Sequence, residues 1–139
     1  MKKVFLDTNI VLDLLLDRAP FAEDIIDIFD IAIDQSVSLC ISSLTIANIN
    51  YIIGRIEGAK KANRKTDKIL QLVSVEPVSQ STVLSARKSS FKDFEDAIQN
   101  FCALESNYKV LVTRKTKDFR SSQLSIMNPK EFLAKLEEE

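Results

Sequence analysis

The sequence predicts an α/β fold with a parallel sheet covered by helices on both faces, and three observations predict it. Short apolar runs at 4–6, 38–42, 73–78, 109–113 and 125–127 alternate with segments of helical periodicity. Strands separated by helices run parallel, because each crossover returns the chain to the same end of the sheet. The first apolar run ends abruptly on Asp7-Thr8-Asn9, and the fourth ends on Thr113-Arg114-Lys115. Polar groups at the carboxyl ends of parallel strands lie where open α/β sheets bind ligands. Finally, 139 residues are enough for one domain with a real core, so neither a linker nor a second domain is expected.

Composition narrows the chemistry. The chain is 45% hydrophobic and 28% charged, with two glycines, three prolines and no repeat, as in soluble globular proteins. Disorder is expected only in the acidic tail at 137–139. The apolar stretches are broken by Asp7 and Asp13 and are too short to span a bilayer, so a cytoplasmic location away from membranes is expected. Cys40 and Cys102 lie among apolar neighbours and read as core residues. There is no histidine, which excludes imidazole bases and imidazole metal sites, so acid–base or metal chemistry falls to carboxylates. A net charge of −1 exerts no global pull on nucleic acid; such a partner has to be read from local patches.

The elements follow in order. Residues 10–17 read as a helix, and Pro20 breaks the chain before a second helix at 21–35. There Ile25, Ile26, Phe29, Ala32 and Ile33 share helical spacing, opposite a solvated acidic face. A helix at 43–56 follows the second strand, with Leu44, Asn48, Tyr51 and Ile52 on one side. Asn48 interrupts that stripe, and a buried amide needs partners. Gly58 separates a helix at 59–72, whose Lys60, Lys61, Arg64, Lys65 and Lys68 form a basic stripe, solvated or phosphate-binding. Pro77 places the third strand at an edge, and a short helix at 81–88 follows.

In the helix at 93–107, Phe94, Ala97, Ile98, Phe101 and Cys102 define a core face, leaving Asp93 and Asp96 in the first turn. A cap at Asp93 and the helix dipole account for acids there as readily as a site does. After the last strand, Asn128-Pro129-Lys130-Glu131 has an N-cap, a proline at the first helical position and an acid at the third.

Because parallel strand ends point one way, Asp7, the turn bearing Asn48 and the loop from Thr113 to Asp118 can converge, joined by the first turn of the Asp93 helix. Grouped carboxylates repel unless a cation neutralises them. Hard oxygen ligands without imidazole or thiolate suit Mg²⁺ or Mn²⁺, ions that support phosphodiester hydrolysis.

Phe5-Leu6-Asp7-Thr8-Asn9, Ser42-Ser43-Leu44-Thr45 leading to Asn48, Asp93-Phe94-Glu95-Asp96-Ala97-Ile98-Gln99, and Val112-Thr113-Arg114 with Asp118-Phe119 resemble, in order and spacing, the PIN-domain family. The likeness is nearest to small bacterial VapC-like toxins and runs over nearly the whole chain. It implies a three-layer α/β/α domain, Mg²⁺- or Mn²⁺-dependent cleavage of RNA, frequent homodimers and often an antitoxin partner. Asp7 matches the family's first acid and Asp96 its third. Thr8 or Asn9 would orient Asp7, and Thr113 would support the loop of the fourth site.

Two positions depart from the pattern. Asn48 stands where the second acid is common, and Lys115 where the fourth position is commonly Asp or Asn. The ammonium of Lys115 would compete with a metal or meet a substrate phosphate. On this reading Asp7 and Asp96 hold the ion, Asp118 completes it and Asp93 is a reserve. Asn48 anchors a water, and Arg114, Lys115 and Lys117 meet the RNA backbone. The alternative is a PIN module that binds RNA or protein with little or no catalysis. A receiver-like phosphoacceptor fits poorly, because the first strand ends on a single acid and the second on Ser42.

Overall fold

The computed structural model describes residues 2–35 and 37–138. Five strands form one sheet: β1 (Lys3–Leu6), β2 (Ser38–Ser42), β3 (Ser74–Glu76), β4 (Val110–Val112) and β5 (Ser125–Met127). Their order is β3-β2-β1-β4-β5 and every pairing is parallel. Among the described residues seven α-helices connect and cover them: α1 (Thr8–Leu15), α2 (Ala22–Gln35), α3 (Ser43–Glu57), α4 (Ala59–Leu70), α5 (Gln80–Lys88), α6 (Phe94–Glu105) and α7 (Pro129–Glu137).

The strands are apolar on both faces because both faces are buried. Val4, Leu6, Leu39, Ile41 and Val112 point into a core shared with α1, α2, α3, α4 and α7. Phe5, Cys40 and Leu111 alternate with them and face Cys102 and Ala103 of α6, with Tyr108, Phe119 and Leu124. This is the expected three-layer α/β/α arrangement. Both cysteines are buried and free.

The chain winds outward from β1 to β3 on one side, then resumes at β4 on the other side of β1. The order therefore reverses between β1 and β4, and a crevice opens beyond the carboxyl ends of such a neighbouring pair. Leu6 is in register with Val112, so Asp7 and Thr113 are the next residues on the two strands. The sheet alone thus brings together groups more than a hundred positions apart.

Several faces differ from the periodicity reading. In α3 the buried residues are Thr45, Ile49 and Ile53, one step round from the predicted stripe; Tyr51 is 65% exposed and Asn48 only half-buried. A hydroxyl takes the inward place because Thr45 has partners there. In α2, Ile25, Ile28, Phe29 and Ala32 are buried while Ile26 and Ile33 face outward. In α6 the buried side includes Asp96, Gln99 and Asn100, and Phe94 is exposed. The first helix begins at Thr8, earlier than expected, because Asp7 caps it. Pro77 does follow an edge strand, β3. Of the acidic tail expected to be disordered, Glu137 ends α7, and Glu139 lies outside the described residues. Among the described residues no helix is long and apolar enough to cross a membrane.

Candidate active site

Asp7 leaves β1 with extended backbone, φ −72° and ψ 159°, and caps α1. One oxygen, Oδ1, accepts the backbone N–H of Thr8 at 2.8 Å. The other, Oδ2, accepts the Thr113 hydroxyl at 2.7 Å and the Asn9 amide at 3.4 Å. Thr8, through its backbone N–H, and Asn9 and Thr113, through their side chains, therefore all hydrogen-bond Asp7. Burial pushes the Asp7 carboxyl above its ordinary range, opposed by the Thr113 hydrogen bond and the Lys115 charge.

Asp96 occupies the third position of α6, where its N–H donates to the Oδ1 of the capping residue, Asp93, at 2.9 Å. That cap turns the carboxylate of Asp96 inward, and the residue is 2% exposed. Its Oδ1 accepts Lys115 Nζ at 2.8 Å, whereas Oδ2 is buried without a hydrogen-bond partner. This carboxyl is pushed up to about 6, chiefly by burial and also by the charge of Asp7, against the downward pull of the Lys115 hydrogen bond. Burial works against the charge of Lys115, yet the hydrogen bond to Asp96 and the fields of Asp7, Asp96 and Asp93 raise its pKa overall.

Asp7, Thr8 and Asn9 border one cleft of about 280 Å³ with Asp96, Gln99 and Lys115; Leu12, Glu95 and Arg114 complete its wall. A hydroxyl–amide network holds the wall together. Gln99 Nε2 donates to Thr8 Oγ1 at 3.0 Å and Thr45 Oγ1 at 2.8 Å, and those hydroxyls lie 2.8 Å apart. Thr45 is tied in turn to Ser42, the cap of α3. The ends of β1 and β2 and α6 are therefore joined by buried and part-buried polar bonds, costly to leave unmade.

The remaining expected residues are placed differently. Asp118 does not join the Asp7–Asp96 pair: it is exposed and borders a neighbouring cavity of about 590 Å³ with Asp93, Lys117 and Arg120. The reason is the 3₁₀ turn at Thr116–Phe119, which buries Phe119 in the second core and sends its neighbour outward. Asp93, the supposed reserve, is occupied as a cap and borders the same second cavity. Asn48 does not border the cleft; its amide donates to Glu95 Oε1 at 2.6 Å, so it acts on the cleft through Glu95. Arg114 borders the cleft, but its guanidinium is committed elsewhere. Its Nε meets Asp13 Oδ2 at 2.5 Å, its Nη2 meets Asp13 Oδ1 at 3.2 Å, and the group stacks 4.0 Å over Phe21. Of the three expected phosphate-binding cations, Lys115 alone brings a charge directly onto the carboxylate pair.

Asp13, Glu95, Thr45 and Gln99 are the participants that periodicity does not single out. The signal for Asp13 was present: it is a lone acid inside the apolar run 10–16, and it is fully buried. Glu95, Thr45 and Gln99 lie within the quoted motifs, but only the packing shows which way they face.

The donor set is one of hard oxygens: two carboxylates in one cleft, with Asp96 Oδ2 and Gln99 Oε1 buried and unpartnered. That fits a Mg²⁺ or Mn²⁺ ion held by one or two carboxylates, its own waters and a substrate phosphate. It does not fit an all-protein cage; among the described residues no group of three or more His, Cys, Asp or Glu is gathered to hold an ion.

An α/β/α domain with a reversing parallel sheet and two buried carboxylates at the reversal is the class of protein that fold and site define. The sequence model of the PIN domain matches residues 3–117, and the chain belongs to that family. It is similar to Ribonuclease VapC1 of Aquifex aeolicus (strain VF5), 24% identical over 136 residues covering 94% of this chain and 93% of the relative. The DNA-bound VapBC of Salmonella typhimurium shares the fold with a TM-score of 0.74 at 20% identity, over 93% of this chain and 99% of that one. VapBC2 of Rickettsia felis, bound to a promoter DNA fragment, does so at 0.73 and 18%, over 91% and 98%.

Proposed function

We infer that the protein is a metal-dependent endoribonuclease of the VapC toxin type, hydrolysing RNA phosphodiester bonds. The observation that carries this reading is the convergence of Asp7 and Asp96, both buried, in one cleft at the reversal of the sheet. Support comes from the likeness to a ribonuclease over nearly the full length of both chains.

A divalent ion held there by Asp7 and Asp96 would supply a water of lowered pKa and would offset charge on the phosphoryl group. The protein's own residues do the rest. Asp7 and Asp96 hold the ion through their carboxylates. Thr8, Asn9 and Thr113 fix the rotamer of Asp7, and Gln99 fixes the distance between α6 and the end of β1. Lys115, and beyond it Lys117 at the mouth of the second cavity, meet the phosphate backbone as compact, mobile charges. Asn48 positions Glu95 at the cleft wall. The VapBC complexes among its structural relatives support an antitoxin partner for this chain as well, and a homodimer is part of the same proposal.

The test is cleavage of a total RNA preparation and of defined single strands with Mn²⁺, with Mg²⁺ and with chelator, using wild type, Asp7→Asn and Asp96→Asn. Metal-dependent cutting lost in both variants is the expected result. Cutting by Asp7→Asn at the wild-type rate sinks the assignment. The ion pair between Lys115 and Asp96 favours a second reading, an RNA-binding module without catalysis. It predicts RNA affinity unchanged by chelator and no cutting under any condition.

A further inference from the structure

The salt bridge between Lys115 and Asp96 unites two features that the nuclease reading leaves unexplained: a cation placed among metal-binding carboxylates, and a carboxylate with one oxygen satisfied and one not. The two partners are unequal. The Asp96 side chain is 4% exposed and fixed in the wall by the first turn of α6, whereas that of Lys115 is 42% exposed and reaches it from the solvent side. The root of the lysine is itself fastened to the site. Its backbone N–H donates at 3.0 Å to the Thr113 hydroxyl, the same hydroxyl that donates to Asp7. A four-carbon stem thus starts from a fixed point beside one carboxylate and carries its charge to the other. An ammonium on such a stem is a mobile point charge, able to leave by rotation alone.

We propose that Lys115 is a tethered cation that holds Asp96 in the metal-free protein and must leave it for a divalent ion to bind, so that loading is the exchange of one cation for another. This rests on the metal-dependent reading of the site. A single ammonium neutralises one of two facing carboxylates, and a divalent ion both, which gives the exchange its direction. The ion pair that has to be broken sets the metal affinity below that of the bare pair of acids. Once displaced, the ammonium stays beside the cleft, where a phosphodiester is the anion available to it.

The experiment is calorimetric titration of Mn²⁺ into the full chain at fixed ionic strength, for wild type, Lys115→Gln, Lys115→Arg and Lys92→Gln. Lys92 borders only the neighbouring cavity and controls for a general change of charge. Lys115→Gln is expected to bind Mn²⁺ about tenfold more tightly, equivalent to about 1.4 kcal/mol. Lys115→Arg gains nothing, and Lys92→Gln stays within about twofold of wild type. Equal affinity in wild type and Lys115→Gln overturns the exchange while leaving the metal site standing, as does an equal gain in Lys92→Gln. Absence of saturable binding in every variant overturns the metal reading and the exchange with it. A second measurement needs no variant: the nitrogen resonance of the Lys115 ammonium is expected to shift as Mg²⁺ is added and its ion pair with Asp96 opens. A resonance unmoved at saturating Mg²⁺ also overturns the exchange.

Discussion

Each titrating side chain at the site has a definite sign of effect. Asp96 is raised, chiefly by burial, from 3.8 to about 6, so between those values the folded protein keeps a proton that the unfolded chain has released. Stability of the metal-free protein therefore falls as pH rises through that window and levels off above it, and the buried Asp7 adds in the same direction. Urea midpoints measured from pH 4 to 7 check this; Asp96→Asn should flatten the profile, and a midpoint that climbs across the window refutes it. Asp7→Asn keeps one acceptor, for the Thr8 N–H or the Thr113 hydroxyl but not for both, and the hydrogen bond it loses is offset by removal of a buried charge. It is expected to melt no lower than wild type while losing at least about a hundredfold in cleavage rate, the scale of a catalytic group removed from a preorganised site. Arg114 behaves differently, because its partner Asp13 is fully buried and has Arg18, 3.5 Å away, as its other cation among the described residues. Arg114→Ala is expected to cost about 3 kcal/mol by chemical denaturation, the penalty for stranding a buried charge. A loss of RNA binding in that variant has to be corrected for unfolding before it is assigned to phosphate contact.

Among the elements, α6 and the 3₁₀ turn after β4 decide which acids meet. Asp93 as cap spends its carboxylate on the helix start and directs Asp96 inward, and Gln99 one turn later locks that helix to Thr8 and Thr45. Gln99→Leu leaves those hydroxyls without their donor; it is expected to destabilise by about 1–3 kcal/mol and to weaken Mn²⁺ binding, read by calorimetry beside a thermal melt. Phe119 anchors the turn that carries Lys117 and Asp118 to the second cavity. Phe119→Ala is expected to cost about 3–5 kcal/mol, and a smaller loss would mean that the turn is held by its loop bonds instead. The helices themselves were legible: caps at Asp93 and Asn128, the proline opening α7 and the glycine between α3 and α4 all stand where the sequence places them. Their buried faces were less so, because Thr45, Gln99 and Asn100 count as polar in any periodicity but are buried with partners inside.

At the scale of the whole molecule, a net charge of −1 leaves RNA attraction to a few local cations. The basic stripe on α4 is not among them by position, since none of its residues borders the cleft, and Lys65 is held by Leu15 O and Glu57 at 2.7 Å each. Replacing Lys60, Lys61 and Lys68 together with glutamine is expected to leave RNA affinity within about twofold of wild type. The slope of log affinity against log salt should be shallow, about −1.4 for two single-strand phosphate contacts at Lys115 and Lys117. A steep slope, or one that collapses in the α4 variant, returns the stripe to the RNA-binding surface.

Local order along the chain determined the element types, the parallel sheet and the two acids at its centre. Alternation of apolar runs with capped helices admits few topologies, and strand ends in such a sheet face one way. Which polar residues complete the site was decided only in three dimensions. Strand order put Thr113 beside Asp7, a 3₁₀ turn sent Asp118 to another cavity, and burial paired Arg114 with Asp13 and Lys115 with Asp96. A side chain's spacing along the chain gives the direction in which it leaves its own element. Its partners depend on which distant elements pack there, and a charge buried by that packing must find its counter-charge within reach.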